Sequence, residues 1–188
     1  MQKSSLICDS CVIDRAGNQF SLWQGLNESH QQQVVAAAKN DPLVIKFTSD
    51  PQRFASLAKL KTWLAGERIV CALTPKLSPN KLVGLAWFFH ESLSIDDLSR
   101  PSPLSSNLPI KPSHWTFGIR LYGDARGKRL SLPLMRKAFA HFWQKHPQES
   151  VWLSTAADNL VAHKVYERFG FEFLGEKDNR FFYLKNPN

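Results

Sequence analysis

The sequence predicts an α/β chain of the mixed α+β kind, with one central mixed sheet and about four flanking helices. Three observations predict it. Segments with a two-residue apolar period alternate along the chain with segments of helical period. The 188 residues suit one domain, taken as residues 1–188 with 1–18 as an N-terminal extension. The composition, 43% hydrophobic and 12% aromatic, is that of a chain that buries a core, and it excludes a disordered one.

The elements follow in order. Gln19 to Gly25 reads as a first strand. Asn27 caps a helix from Glu28 to about Lys39, with Val34, Val35 and Ala38 on one side. Leu43 to Thr48 is a short apolar run, either a strand or a buried connector. Asp50-Pro51 starts a second helix, an N-cap followed by Pro at the first helical position, and Gly66 ends it. Arg68 to Thr74 and Lys81 to Glu91 read as two strands of a hairpin turning at 75–80. Residues 92–113 carry four Pro and seven Ser, which makes them a long loop. His114 to Leu121 is a strand with Trp115, Phe117 and Ile119 alternating. Arg129 to Lys145 is a helix with Leu130, Leu134, Ala138 and Phe142 on one stripe, and Pro133 falls in its first turn, where a missing N–H is tolerated. Ser150 to Thr155 is a strand. Asp158 caps a last helix with Val161, Ala162, Val165 and Phe169 on one face. Phe171 to Gly175 and Arg180 to Leu184 close the chain as two strands.

The charge excess, 24 basic against 16 acidic residues, is +8 and favours a polyanionic partner: nucleic acid, an anionic surface or a phosphorylated cofactor. No apolar run approaches the ~18 residues of a membrane-spanning helix, so no membrane partner is expected. Residues 1–10 hold no secretory signal, so a cytoplasmic location is the expectation. Three cysteines do not suggest a disulfide framework. Cys8 and Cys11 read as reduced thiols, and no second pair completes a metal site, so no metal is expected.

The informative segment is Leu121-Tyr-Gly-Asp-Ala-Arg126-Gly127-Lys128-Arg129-Leu130. A strand runs into a basic, Gly-containing turn that opens a helix. Free N–H groups at a helix start and the helix dipole both favour an anion. Gly127 admits a close backbone approach. Seven Lys or Arg and one acid lie between residues 120 and 145. A diphosphate suits such a turn. A solvated basic turn, or a nucleic-acid patch over 126–137, has the same appearance. No helix-turn-helix, RRM or zinc signature accompanies it.

A second segment, Asn159-x-x-Ala162-x-x-x-Tyr166-x-x-x-Gly170-Phe171, complements the first. Together the two resemble the GNAT superfamily of acyl-CoA N-acyltransferases. In that family an R/Q-x-x-G-x-G/A turn holds the CoA pyrophosphate, and an N-x-x-A-x-x-x-Y-x-x-x-G-F segment follows. The second pattern matches at every named position. The first departs: Asp124 stands where Arg or Gln is usual and Arg129 where Gly or Ala is usual, although Arg126-Gly127 fits an R-G-x-G version. Arg129 would then either crowd the phosphates or pair with them.

The resemblance implies a mostly antiparallel sheet with splayed middle strands and acetyl-CoA as cosubstrate. It also implies direct acetyl transfer in a ternary complex to an amine, on a small molecule or a protein. Backbone groups of Ile119, Leu121 and Tyr122 would pair with pantetheine, and an N–H near Leu121 would face the thioester oxygen. Arg126, Gly127, Lys128, Arg129, Leu130 and Ser131 would cradle the pyrophosphate. Asn159 would bond pantetheine or the adjacent backbone. Tyr166 would be the general acid. His90, Glu91 and His114 are candidates for the base, with water as an alternative, and His163 is expected to be solvated or near a phosphate. The acceptor would be set by Asp41 to Pro51 and Gly175 to Arg180, with the 92–113 loop as a further wall. A non-catalytic module that binds acyl-CoA is the alternative. The sequence leaves the acceptor and the oligomeric state open.

Overall fold

A computed structural model describes residues 4–91, 93, 100–101 and 115–187. Among the described residues nine strands form one sheet in the order β1-β2-β3-β4-β6-β7-β9-β8-β5. The strands are β1 (Ser5–Ile13), β2 (Gln19–Gln24), β3 (Arg68–Pro75), β4 (Gly84–His90), β5 (Arg100–Pro101), β6 (Trp115–Leu121), β7 (Val151–Ala156), β8 (Glu172–Lys177) and β9 (Arg180–Lys185). The helices are α1 (Glu28–Asn40), α2 (Pro42–Phe47), α3 (Asp50–Arg53), α4 (Leu57–Ala65), α5 (Ser131–Lys145) and α6 (Leu160–Phe169). The mixed, mostly antiparallel sheet expected from the sequence is present, and the described residues form six helices where about four were expected.

The chain divides into two compact units, and each is interrupted in sequence. The first holds Met1–Trp87 and Ile119–His141, the second Phe88–Gly118 and Phe142–Asn188. In the first unit β2 pairs antiparallel with β1 and with β3. Leu22, Leu73, Leu85, Leu60, Phe54 and Leu134 are fully buried there. Gly84 sits in tight packing: a Cβ would lie 3.0 Å from the Leu121 side chain and 3.2 Å from that of Leu134, so both would have to give way. In the second unit β9 pairs antiparallel with β7 and β8. Leu93, Trp152, Leu174 and Leu184 pack together, with Phe182 against them. A second cluster stacks Phe88 on Phe142 and sets Trp115 edge-on to Phe142.

Several sequence expectations are corrected. The expected N-terminal extension contains β1, an outer strand with bulges between Leu6 and Cys8 and between Cys8 and Val12. Cys8 and Cys11 are joined as a disulfide rather than reduced, and Cys71, outside that disulfide, is buried. Leu43 to Thr48 is neither strand nor connector. It lies mostly in α2, because Pro42 follows Asp41, whose carboxylate accepts the Leu43 and Val44 amides. The single helix expected from Asp50 to Gly66 is broken into α3 and α4, and Ser56 caps α4 through the Lys59 amide. The last helix is capped by Asn159, not Asp158, and it buries His163 and Tyr166. Val161, expected on the buried face, is 76% exposed. Within the expected loop 92–113, Arg100–Pro101 pairs with β8, and most of the remaining loop lies outside the described residues.

Candidate active site

β6 carries Ile119 and Leu121, and Tyr122 follows it. The Tyr122 amide donates to the Val83 carbonyl at 3.0 Å, which pins the strand end. Burial, then the nearby Asp50 carboxylate, pushes the Tyr122 phenol far above its ordinary range, so it stays neutral. The Arg120 side chain donates to the Ile119 carbonyl at 2.8 Å and forms two bonds to Asp50, at 2.7 and 3.1 Å. The sequence reads Asp50 as a helix cap. Its carboxylate instead neutralises an arginine seventy residues away.

The turn begins with a single 3₁₀ turn over Gly123–Ala125. The Ala125 amide donates to the Tyr122 carbonyl and the Arg126 amide to the Gly123 carbonyl. Gly127 follows at φ 76°, and a Cβ there would meet nothing within 4 Å. The glycine is thus demanded by backbone conformation, and the space beside it is open. Arg129 is also left-handed, at φ 61°. This accounts for a Gly at that place, though not for an Ala, because any Cβ in this region costs about 1 kcal/mol or more. Lys128 and Arg129 are exposed, and Leu130 is buried. Ser131 opens the 15-residue α5, and the Leu134 amide donates to the Leu130 carbonyl.

Arg126 does not present a free guanidinium. It donates to Asp41 at 2.6 Å, and both side chains are largely covered. Burial pushes the Asp41 carboxyl up, but the bonds from Arg126 and from the Val44 and Leu43 amides outweigh it and leave it below the ordinary carboxylate range. One carboxylate therefore caps α2 and braces the turn. Left-handed residues at 127 and 129, open space at Gly127, a helix start and two exposed cations fit an anionic diphosphate.

In the second unit the described β6–β7 ladder is parallel and holds two register pairs, Trp115 with Val151 and Thr116 with Trp152. Asn159 accepts from the Ala162 amide at 3.3 Å and donates to the Thr155 hydroxyl at 3.3 Å. Of the two roles the resemblance offered it, bonding of the adjacent backbone is seen. Tyr166 is 8% exposed, with its ring against Phe171 and 6.1 Å from that of Tyr183. His163, expected to be solvated or near a phosphate, is 7% exposed and bonds Tyr183 and the Ala157 carbonyl. Sequence reasoning missed this pair because Tyr183 comes from the last strand, with no spacing signal to link it to His163.

Of the candidate bases, His90 is exposed, with its ring 3.9 Å from that of Trp115. Glu91 is exposed, and its carbonyl accepts from the Trp152 indole. His114 lies outside the described residues. Among the described residues no group of three or more His, Cys, Asp or Glu could hold a metal, and no helix is long and apolar enough to cross a membrane.

The sequence from 40 to 171 matches the family model described as "Acetyltransferase (GNAT) family". No curated protein sequence gives a significant match. Among solved structures, RimL, a ribosomal α-N-protein acetyltransferase in complex with coenzyme A, superposes with a TM-score of 0.62 at 13% identity, over 97% of this chain and 98% of that one. A GNAT-family acetyltransferase of Streptococcus agalactiae gives 0.63 at 13% identity, over 94% and 99%. The N-acetyltransferase PseH of Campylobacter jejuni gives 0.54 at 12%, over 90% and 99%. At these identities the structures show a shared fold. The family model spans more than half the sequence and includes both the basic turn and the Asn159–Tyr166 segment, so the chain belongs to the GNAT acetyltransferase family.

Proposed function

We propose that the protein transfers an acetyl group from acetyl-CoA to an amine, directly and within a ternary complex. The observation that carries the reading is the turn from Arg126 to Ser131. Its left-handed residues, its open space at Gly127 and the helix behind it suit a diphosphate. Acetyl-CoA, when bound, supplies the acyl group activated as a thioester. Membership of an acetyltransferase family and the coenzyme A in the RimL complex support the choice.

The chain's own residues then have distinct tasks. Amides of Arg126 to Ser131 hold the pyrophosphate, with Lys128 and Arg129 adding charge and Asp41 fixing Arg126. Backbone groups from Ile119 to Tyr122 align pantetheine. An N–H near Leu121 meets the growing negative charge on the thioester oxygen, and one such donor is worth about 10²–10³ in rate. Tyr166 gives its phenolic proton to the departing sulfur, and the proton that the attacking amine loses passes through water and restores the phenol. Asn159 acts by capping the helix that carries Tyr166.

Calorimetry with acetyl-CoA and with CoA tests the reading. Gly127→Asp adds a side chain at a positive φ and a like charge beside the phosphates. It should weaken binding by well over tenfold. Wild-type affinity in that variant overturns the assignment of the turn.

A further inference from the structure

The CxxC pair forms a cross-link in β1, at the outer border of the sheet. Cys8 and Cys11 are joined as a disulfide, and their Cα atoms lie 5.8 Å apart. A regular strand rises about 3.3 Å per residue, so residues three apart in it stand roughly 10 Å apart. The bond is therefore incompatible with a regular strand, and the backbone meets it with a kink. Cys8 pairs with Leu22 and Val12 with Phe20, so four steps along β1 face two along β2. Ser10, inside the loop, sits at φ 50°, a left-handed conformation that is sterically costly for any residue with a Cβ. The buried Ser21 braces the kink: its hydroxyl donates to the Asp9 carboxylate and accepts from the Ser10 amide at 3.3 Å.

These features make the bond exchangeable. Neither Cys8 nor Cys11 is buried, so a dissolved thiolate can reach their sulfurs, whereas Cys71 is 0% exposed. Only two residues separate the pair, so the cross-link constrains the unfolded chain little. The oxidised form carries the left-handed Ser10 and the broken ladder, and strain in the oxidised form favours reduction. As the outermost strand, β1 has a hydrogen-bonded neighbour on one side alone among the described residues.

We propose that Cys8 and Cys11 form a reversible thiol–disulfide couple with small-molecule thiols, and that its state switches β1 between a kinked and an extended form. In the reducing direction a glutathione thiolate attacks one sulfur of the pair. A mixed disulfide forms, and the other cysteine leaves as a thiolate and takes up a proton. A second glutathione thiolate attacks the glutathione sulfur of the mixed disulfide, so glutathione disulfide departs and the remaining cysteine is released. Two electrons pass in this way from two glutathione thiols to the pair. With the bond gone, the two cysteines separate toward the extended spacing and Ser10 leaves the left-handed region. The exchange uses neither acetyl-CoA nor an amine, so it lies beyond acetyl transfer and does not depend on it.

The full chain is equilibrated in glutathione buffers of increasing oxidised share, alkylated and digested. Trypsin frees residues 4–15, which hold both cysteines of the pair and not Cys71. By mass spectrometry this peptide should pass from two alkyl groups to none along the series. A disulfide that persists in excess reduced glutathione yet yields to dithiothreitol is a fixed cross-link and overturns the proposal. A dithiol that persists in excess oxidised glutathione overturns it as well. Backbone NMR shifts read the conformation: Ser10 should show a positive φ in the disulfide form and an extended one in the dithiol form. Cys8→Ser/Cys11→Ser should match the dithiol form in every buffer, and the wild-type chain alone supplies both readouts if that variant is unfolded. A left-handed Ser10 in both redox states overturns the switch.

Discussion

The Tyr183 hydroxyl and Nδ1 of His163 are hydrogen-bonded across 2.8 Å, and the imidazole's second partner decides which of them donates. The other ring nitrogen, Nε2, lies 3.1 Å from the Ala157 carbonyl, which can only accept. Nε2 therefore carries the hydrogen and Nδ1 the lone pair. The pair links α6, which carries Tyr166, to β9.

Stability should fall between about pH 10 and pH 12. Burial, then Glu167 and Tyr166, push the Tyr183 phenol up to about 12, above its ordinary value near 10. A raised pKa in the folded state gives stability that is full below the unfolded value and is lost as pH rises through the folded one. Tyr183→Phe should flatten that arm while costing about 1–2 kcal/mol near neutrality, since Nδ1 of His163 loses its donor. Thermal melts across the pH range read both effects.

Tyr166→Phe keeps the ring that packs on Phe171 and removes only the hydroxyl. Acetyl-CoA affinity should hold while kcat falls by about 10²-fold, the usual scale for a lost general acid. Turnover at the wild-type rate would return Tyr166 to a packing role.

Asp50→Asn should lower stability by about 3 kcal/mol. The side chain is 2% exposed, and the change leaves a mostly covered Arg120 without its counter-charge. Urea denaturation of the variant measures it, and a loss below 1 kcal/mol would show that Arg120 finds water instead.

Arg129→Gly should raise stability by about 1 kcal/mol, because Gly occupies φ 61° without the steric cost that Arg incurs there. Arg129→Ala should not, since it keeps the Cβ. Comparing the two melts isolates backbone strain from charge.

Asp41 serves two partners, and two substitutions separate them. Asp41→Asn retains a good N-cap for α2 but breaks the ion pair with Arg126. Asp41→Ala removes both and should cost about 1 kcal/mol more. The lowered Asp41 pKa means that its contribution is present above the ordinary carboxylate range and is lost as pH falls through that range and below it.

Local chemistry in the sequence was enough for the strand, basic turn and helix of the site, because Gly127 and the apolar stripe of α5 are near-neighbour signals. It was also enough for the placing of Tyr166 on the last helix. It failed where a residue answers to a distant one. Asp50 sits in an Asp-Pro pair that looks like a cap, yet it is recruited by Arg120 from β6. The α6 face was misread because Val161 is apolar and His163 polar, yet Tyr183 makes burial of the histidine the satisfied choice. Asp158 and Asn159 are both good caps, and only backbone geometry decides for Asn159.

The two outermost strands of the sheet have a consequence for the protein in crowded solution. An edge strand offers unpaired N–H and C=O groups on which another chain can template. Here β1 is interrupted by two bulges, which break the regular spacing such a visitor must match. At the other edge β5 is two residues long, and one of them, Pro101, has no N–H to offer. Both borders are thus poor seeds for strand-by-strand aggregation, even though seven described strands lie between them.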